Sequence, residues 1–248
     1  MQKFFYFVNN LKCLLMKYLI FIFSIGLLIS CQTNTMTTKR QTALSAAEQQ
    51  ASSPQQVFEE LQAGNARYVN GTPHSVDAAS LRSDTVGGQH PKAVVLSCID
   101  SRVPVEMLFD QHIGDIFVAR VAGNFENNDI LGSMEYACAV AGSKLIVVLG
   151  HAGCGAVKAA CDRVELGHIT ELLSSIQPAV DKAQSMMQRA PSSKDAAFVN
   201  NAVAENVRLT MARILDKSSL LHELYAAGSI QIVGGVYQLD SGEVTWLD

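Results

Sequence analysis

The sequence has little charge and few aromatic side chains. Of its 248 residues, 17% are charged, 7% are aromatic and one is a tryptophan, whereas 48% are hydrophobic. A disordered chain would carry more charge and less apolar material, so this composition predicts a folded domain with a hydrophobic core. The formal net charge of −4 gives no electrostatic reason to expect nucleic acid as a partner.

Two further absences narrow the interpretation. The sequence shows no internal repeat, and its length is near that of one large domain. The glycine-rich segment 150–155 is not followed by the Gly-Lys-Ser/Thr that a phosphate-binding loop of an NTPase requires. These features argue against a repeat protein and against a nucleotide-binding loop.

The first thirty residues differ in composition from the rest. Lys12 and Lys17 precede an apolar run over residues 18–29, which is short for a membrane span and is typical of a secretory signal. We therefore expect residues 1–30 to be a signal peptide, translated from Met1 or from Met16. An uncleaved signal anchor remains the alternative.

The end of this leader resembles a bacterial lipoprotein processing site, with Leu28-Ile29-Ser30 before Cys31. Cys31 is then the lipidated N-terminus, and the protein is attached to a membrane in the cell envelope and faces the periplasm. Because the residue after Cys31 is not Asp, the outer membrane is favoured over the inner one. Residues 31–53 are rich in Gln, Thr, Ser and Ala, which predicts a flexible tether.

The remainder, residues 54–248, has the pattern of an α/β domain with a mostly parallel central sheet flanked by helices. Short, continuous apolar runs alternate with helix-like segments, and such runs are typical of strands buried on both faces. We read the stretch from Gly71 to Pro91 as irregular. The predicted strands are 93–97, 116–120, 144–149, 230–237 and 243–246, and the predicted helices are 54–70, 128–141 and several within 169–226.

Two chemistry-bearing segments each follow a predicted buried strand. They read Cys98-Ile99-Asp100-Ser101-Arg102 and His151-Ala152-Gly153-Cys154-Gly155. Ligands of open α/β sheets bind at the carboxyl ends of the strands, so the two segments converge if their strands are close in the sheet. Two thiolates, an imidazole and a carboxylate favour zinc over magnesium or calcium.

Other interpretations of these residues explain the two segments less well. A structural zinc site usually has Cys-x-x-Cys pairs and no central carboxylate. A Cys98 nucleophile with His151 as its base is conceivable, but it leaves Cys154 without a role. Cys138 and Cys161 lie in helix-like sequence and are expected to be buried thiols, with a disulfide between them as the alternative.

The paired motifs, Cys-x-Asp-Ser-Arg and then His-x-x-Cys-Gly, resemble those of the β-class carbonic anhydrases. The likeness covers roughly residues 54–239 and includes Gly114-Asp115-Ile116-Phe117-Val118 and Arg120-Val121-Ala122-Gly123-Asn124. It implies one Zn²⁺ per subunit held by Cys98, His151 and Cys154. It also implies reversible hydration of carbon dioxide to bicarbonate and a proton by zinc-bound hydroxide.

By the same resemblance, Asp100 and Arg102 form a catalytic dyad beside the metal. Asp100 orients the zinc-bound water, and Arg102 holds the carboxylate away from the zinc. In some family members the aspartate becomes a fourth metal ligand and closes the site. Members that close with bicarbonate carry a tryptophan in an N-terminal segment, whereas the one tryptophan here is Trp246, which favours the open form.

The resemblance also implies substrate contacts and an oligomer. Gly155 matches a position whose backbone N–H contacts substrate, Tyr136 has the spacing of a pocket tyrosine, and Gln111 resembles a glutamine that donates to substrate. Ordinary helix packing is the alternative for Tyr136. The family assembles as dimers, often paired into tetramers with pockets completed across the interface, so we expect a homodimer or tetramer with the helix from Pro54 as an arm.

Two rival functions remain. The same zinc site could hydrolyse a carbon dioxide analogue, carbonyl sulfide or carbon disulfide. Alternatively, the protein could bind zinc without catalysis, although a purely structural site has no use for the Asp100–Arg102 pair.

Overall fold

A computed structural model describes residues 42–247 and contains one five-stranded sheet of order β2-β1-β3-β4-β5. Neighbouring strands from β2 to β4 pair in parallel, and β5 pairs with β4 in antiparallel orientation. The predicted α/β fold with a mostly parallel sheet is confirmed. The strands are β1 (Ala93–Ser97), β2 (Ile116–Arg120), β3 (Leu145–His151), β4 (Gln231–Tyr237) and β5 (Val244–Leu247).

The central strands β1 and β3 are buried along their whole length. Alternate side chains point to opposite faces of the sheet, so Val94 and Leu96 enter one hydrophobic core whereas Val95 enters the other. Helices cover both faces, which is why these strands read as continuous apolar runs rather than as alternating ones.

Ten α-helices and one π-helical segment are described between residues 42 and 247. The helix predicted from Pro54 begins there, because Ser53 is its N-cap. The Ser53 hydroxyl oxygen accepts from the Gln56 backbone N–H, and the Gln56 side-chain oxygen accepts from the Ser53 backbone N–H, which is a capping box. The helices are α1 (Ala46–Ala51), α2 (Pro54–Val69), α3 (Ala78–Asp84), α4 (Val105–Leu108), α5 (Asn128–Glu135), the π segment (Tyr136–Val140), α6 (Gly155–Cys161), α7 (Gly167–Ser174), α8 (Gln177–Met187), α9 (Ala196–Lys217) and α10 (Ser219–Ala226).

The prediction of a flexible tether through Ser53 is wrong for its last part. Helix α1 is capped by Ser45 and Glu48, and Gln49 is buried with its amide donating to the carbonyls of Pro91 and Ala141. A side chain that satisfies two buried carbonyls anchors this segment to the domain. The domain therefore begins before residue 54.

The expectation of an irregular stretch before Pro91 is also wrong, because it contains α3. Asp77 caps this helix by accepting from the N–H groups of Ala79 and Ser80, and Leu81 is buried. One buried apolar residue in a seven-residue helix gives too little periodicity for recognition from sequence.

The expected signal peptide (1–30), the lipidation site Cys31 and the tether up to residue 41 lie outside the described residues. Within residues 42–247, no helix has both the length and the apolar character needed to cross a membrane.

Candidate metal centre

Three metal-ligating side chains meet at the carboxyl edge of the sheet. Cys98 directly follows β1, and His151 is the last residue of the adjacent strand β3. The parallel register pairs Ser97 with Leu149, so both strands end at the same edge. The ligand atoms of Cys98, His151 and Cys154 all lie within 4.8 Å of one another, and the two sulfurs are 3.9 Å apart.

Burial and hydrogen bonding prepare this group for a metal ion. His151 is fully buried, its Nδ1 lies 3.1 Å from the carbonyl oxygen of Ala152, and its Nε2 has no hydrogen-bond partner among the described residues. A proton on Nδ1 leaves the Nε2 lone pair free to coordinate. Two sulfurs and one imidazole nitrogen suit zinc, and three protein ligands leave a fourth position open, as in catalytic zinc sites.

The two sulfurs shift each other's pKa. Hydrogen bonding with the Cys154 thiol lowers the pKa of the Cys98 thiol. The backbone N–H of Gly123, whose nitrogen is 3.4 Å from Cys98 Sγ, also lowers this pKa. The hydrogen bond with Cys98 and burial raise the pKa of the Cys154 thiol. Binding of a metal by both sulfurs would require both thiols to lose their protons.

Asp100 and Arg102 form the predicted pair next to this group. Arg102 donates from its backbone N–H and Nε to Asp100 Oδ1, at 2.9 and 3.0 Å, and from a terminal nitrogen to Oδ2 at 2.8 Å. This hydrogen bonding holds the pKa of the Asp100 carboxyl well below its usual range. Asp100 Oδ2 is 3.7 Å from His151 Nε2, so the carboxylate faces the position of a metal while its oxygens are bonded to Arg102.

The open arrangement favoured by the sequence stays a prediction. Asp100 is outside the group of converging ligands and is engaged by Arg102. Its alternative role, as the fourth ligand by which some family members close the site, stays a prediction as well.

Two supporting residues had no role assigned from sequence. Arg120, at the end of β2, donates from Nε to the Cys98 carbonyl at 2.8 Å and from a terminal nitrogen to the Asp100 carbonyl at 2.6 Å. Gly123 supplies the N–H that points at Cys98 Sγ. Both residues belong to the segment 120–124 that contributed to the family resemblance. The sequence therefore indicates that this segment matters, but it does not indicate which atoms these residues contact.

Of the three residues predicted to contact substrate, Gly155 lies next to a metal ligand. Gly155 is the first residue of α6, directly after Cys154, and lies exposed with open space around its Cα. Its role as a backbone donor to substrate stays a prediction.

Tyr136 is not brought to the three ligands. Its ring packs against Phe117, with centroids 6.2 Å apart, in a surface groove between β2 and α5 whose lining includes none of them. The side chain is half exposed. Within this one subunit the ring packs against Phe117, and the role of Tyr136 as a pocket residue stays a prediction.

The role of Gln111 as a donor to substrate stays a prediction, and within this one subunit its amide is engaged elsewhere. The side chain is buried, and its amide nitrogen donates to the backbone carbonyls of Phe109 and Asp110. Its donors therefore stabilise a turn of its own chain. The proposed disulfide alternative is wrong, because Cys138 and Cys161 are both free, buried thiols.

Comparison with known proteins agrees with this geometry. The family description "Carbonic anhydrase" matches residues 93–244. Over 201 residues the chain is 39% identical to carbonic anhydrase 2 of Mycobacterium tuberculosis, which covers 79% of this chain and 93% of that protein.

Solved structures agree as well. A β-carbonic anhydrase of Coccomyxa in complex with acetazolamide is 26% identical, with a TM-score of 0.60 over 78% of this chain and 82% of that one. A tetrameric β-carbonic anhydrase of Sordaria macrospora shares the fold, with 21% identity and a TM-score of 0.63 over 77% and 96% of the two chains. The chain therefore belongs to the carbonic anhydrase family, as a β-class enzyme that uses zinc to hydrate carbon dioxide.

Proposed function

We propose that carbon dioxide is hydrated beside Cys98, His151 and Cys154, with Asp100 as the catalytic residue that orients the attacking water. The observation that carries this role is the position of its carboxylate, 3.7 Å from the unpartnered His151 Nε2. When bound, zinc supplies the Lewis acidity that makes water nucleophilic near neutral pH. Asp100 stays ionised under those conditions and can accept a hydrogen bond from the water.

Arg102 acts through Asp100 rather than on the substrate. Its three hydrogen bonds occupy both carboxylate oxygens and fix the direction of the carboxylate. Arg120 donates to the backbone carbonyls of Cys98 and Asp100, on either side of Ile99. These two bonds hold Cys98 and Asp100 at a fixed position relative to each other. The proton released with bicarbonate leaves to solvent, towards which the Arg102 side of the site is open.

Stopped-flow carbon dioxide hydration with zinc quantified tests these roles. Asp100→Asn keeps the size of the side chain and removes its charge, so we expect full zinc content and a kcat lower by about 10²- to 10⁴-fold. Cys98→Ser should instead lose the metal. Loss of zinc in Asp100→Asn would mean that its role is misassigned.

Hydrolysis of carbonyl sulfide or carbon disulfide is the less favoured activity, because the similar proteins are carbonic anhydrases. Assaying carbon dioxide and carbonyl sulfide side by side separates the two. Acetazolamide forms a complex with the Coccomyxa enzyme, so we expect it to bind this enzyme as well and to inhibit hydration.

We propose further that the enzyme is a homodimer or a tetramer. The edge strand β2 lies beside an apolar groove that contains Phe117 and Tyr136, and Val140 nearby in sequence is 73% exposed. Exposed apolar surface of this kind is typical of an interface. Light scattering after gel filtration measures the assembly, and a monomer at micromolar concentration would contradict the proposal.

The location is proposed from the leader. We propose that Cys31 is lipidated and attaches the enzyme to the envelope facing the periplasm, with the outer membrane favoured. Eleven peptide units separate Cys31 from Thr42 and span at most about 40 Å. Helix α1 then contacts Pro91 and Ala141, which precede β1 and β3, so the anchor would join the domain at the end of the sheet away from the metal centre.

Metabolic labelling with a palmitate analogue tests this attachment. The wild-type protein should be labelled and should fractionate with membranes, whereas Cys31→Ser should be neither. Equal labelling of both proteins would exclude a lipid at Cys31.

A further inference from the structure

Helix α9 reaches both halves of the metal centre through two asparagine side chains. Asn206 is 1% exposed, and its amide donates to the Gly123 carbonyl at 2.7 Å across 83 residues of sequence. Its other amide atom, Oδ1, has no partner in the part of the chain that the structure describes. The side chain thus makes one strong contact, and that contact goes to the loop beside Cys98.

Gly123 is the residue whose N–H points at Cys98 Sγ. It has a φ of +82°, and glycine has more backbone freedom than any other residue. A glycine N–H keeps its direction only if the neighbouring backbone is restrained. The Asn206 bond restrains it from one side, and the turn in which Asn124 N–H donates to the Val121 carbonyl restrains it from the other.

The other half of the centre has a matching contact. Asn200 Oδ1 accepts from the Gly153 N–H at 3.0 Å. Gly153 also has a positive φ, of +63°, and directly precedes the ligand Cys154. Asn200 and Asn206 are six residues apart on α9, which is about 9 Å along the helix axis.

We propose that Asn206 and Asn200 are positioning residues of the metal centre, with α9 as the rigid element that sets the distance between its two halves. Asn206 aims the Gly123 N–H at the Cys98 sulfur, and Asn200 holds the turn that carries Cys154. Neither side chain touches a reacting group, so each acts through a glycine backbone. Hydrogen bonds behind the ligands commonly change metal affinity or activity by about 10- to 100-fold.

This inference rests on the metal site of the proposed function, and cobalt provides a probe of it that does not depend on activity. In the Co²⁺-substituted protein, the sulfur-to-metal charge-transfer band reports electron donation by the thiolates. Loss of the N–H bond to Cys98 makes its sulfur a stronger donor. Asn206→Leu, which keeps the approximate size but removes the amide, should therefore shift this band to lower energy.

Metal release to a chelator is the second readout. Asn206→Leu should release zinc about 10-fold faster than the wild-type protein, and Asn200→Ala should do so as well. The matched control is Asn201→Leu, the same change on the same helix, at a side chain whose Oδ1 makes no hydrogen bond to any described residue. It should match the wild-type protein in both readouts.

A wild-type spectrum and release rate in Asn206→Leu would overturn the proposal. If Asn206→Leu fails to fold by circular dichroism, the exposed Asn200→Ala decides: faster release supports the proposal, and an unchanged rate overturns it. A wild-type protein that binds neither cobalt nor zinc would overturn the metal centre itself, which distinguishes that failure from the failure of the positioning roles.

Discussion

Replacing Gly123 by alanine should destabilise the protein strongly. A Cβ at this position would lie 2.4 Å from Cδ1 and 3.2 Å from Cγ1 of Ile176, and 3.4 Å from Cβ of Ala156. The backbone has a φ of +82°, which alanine rarely adopts. Two separate penalties therefore act at one residue, and the same residue carries the N–H that bonds to Cys98.

The two penalties can be estimated separately. A left-handed conformation costs an L-residue about 1–2 kcal/mol. Forcing an extra methyl group into a packed core costs about 1–3 kcal/mol. Because Ile176 is fully buried and cannot move into solvent, we expect both, and the free energy of unfolding should fall by about 2–5 kcal/mol in total.

Urea unfolding, followed by circular dichroism and by the fluorescence of Trp246, measures this change. Trp246 packs edge-on against Phe58 with centroids 4.7 Å apart, so its emission reports the loss of the core on that face. Zinc and protomer concentrations must be equal for all variants, since both contribute to apparent stability. Gly87→Ala is the matched control, because nothing lies within 4 Å of a Cβ there and the backbone φ is not positive, and it should stabilise by about 0.4–1 kcal/mol.

A double variant separates the packing penalty from the backbone penalty. Ile176→Val removes the Cδ1 methyl group and alone costs about 0.5–1.5 kcal/mol. In its presence the alanine should cost less, with the backbone part of about 1–2 kcal/mol remaining. Strict additivity of the two changes, or a cost of Gly123→Ala below about 1 kcal/mol, would refute the reasoning.

Three further outcomes follow from the described contacts. The hydrogen bonds from Arg102 lower the pKa of Asp100 in the folded protein. The pair therefore stabilises the fold at any pH above the ordinary carboxyl pKa of about 3.9, and this stabilisation is lost as the pH falls towards the lowered pKa of the folded state. Thermal unfolding of the metal-free proteins should show Arg102→Gln less stable at pH 6–8, with a difference that narrows below about pH 4; a constant difference would contradict this. Burial raises the pKa of Cys138 to about 12 and of Cys161 to about 11, so about one in a thousand of these thiols or fewer is ionised at pH 8. An aromatic disulfide reagent should therefore label neither thiol until the protein unfolds. Rapid labelling of these two thiols in the native protein would disprove their burial. Gln49→Leu removes the amide that ties α1 to the Pro91 and Ala141 carbonyls, of which Pro91 keeps the Ser143 hydroxyl as a donor. Limited proteolysis should therefore cleave near α1 faster than in the wild-type protein, whereas Gln55→Leu on the exposed face of α2 should not change the rate.

The sheet and the ligand set were predictable because their signals are local. Buried parallel strands leave continuous apolar runs, and Cys98 and His151 each stand at the end of one. What remained uncertain was whether the two strands are neighbours. Register can be assigned only from the folded sheet, where Ser97 pairs with Leu149.

The errors have a shared physical cause, which is hydrogen bonding that sequence does not display. The stretch before Pro91 reads as irregular, yet it contains a helix that Asp77 caps through the N–H groups of Ala79 and Ser80. The polar stretch around Gln49 looked like a tether, yet one amide contacts carbonyls 42 and 92 residues away. Composition shows how polar a segment is, but it does not show which groups its polar side chains bond to.

The same limit explains why the supports of the metal centre were missed. Asn206 and Gly123 are 83 residues apart, and nothing in either local sequence links them. Arg120 was visible within a motif, but its bonds to the Cys98 and Asp100 carbonyls depend on β1 and β2 being adjacent. Ligands can be recognised by type and spacing, whereas their supporting residues are found only in the fold.

The central claim is that hydration depends on a metal held by Cys98, His151 and Cys154. Its most direct test is stopped-flow carbon dioxide hydration by the purified full-length protein as isolated, after removal of the metal by a chelator, and after addition of zinc. We expect one zinc per subunit, loss of activity with the metal and its return when the metal is restored. A protein that carries one zinc per subunit and hydrates no carbon dioxide would contradict the account.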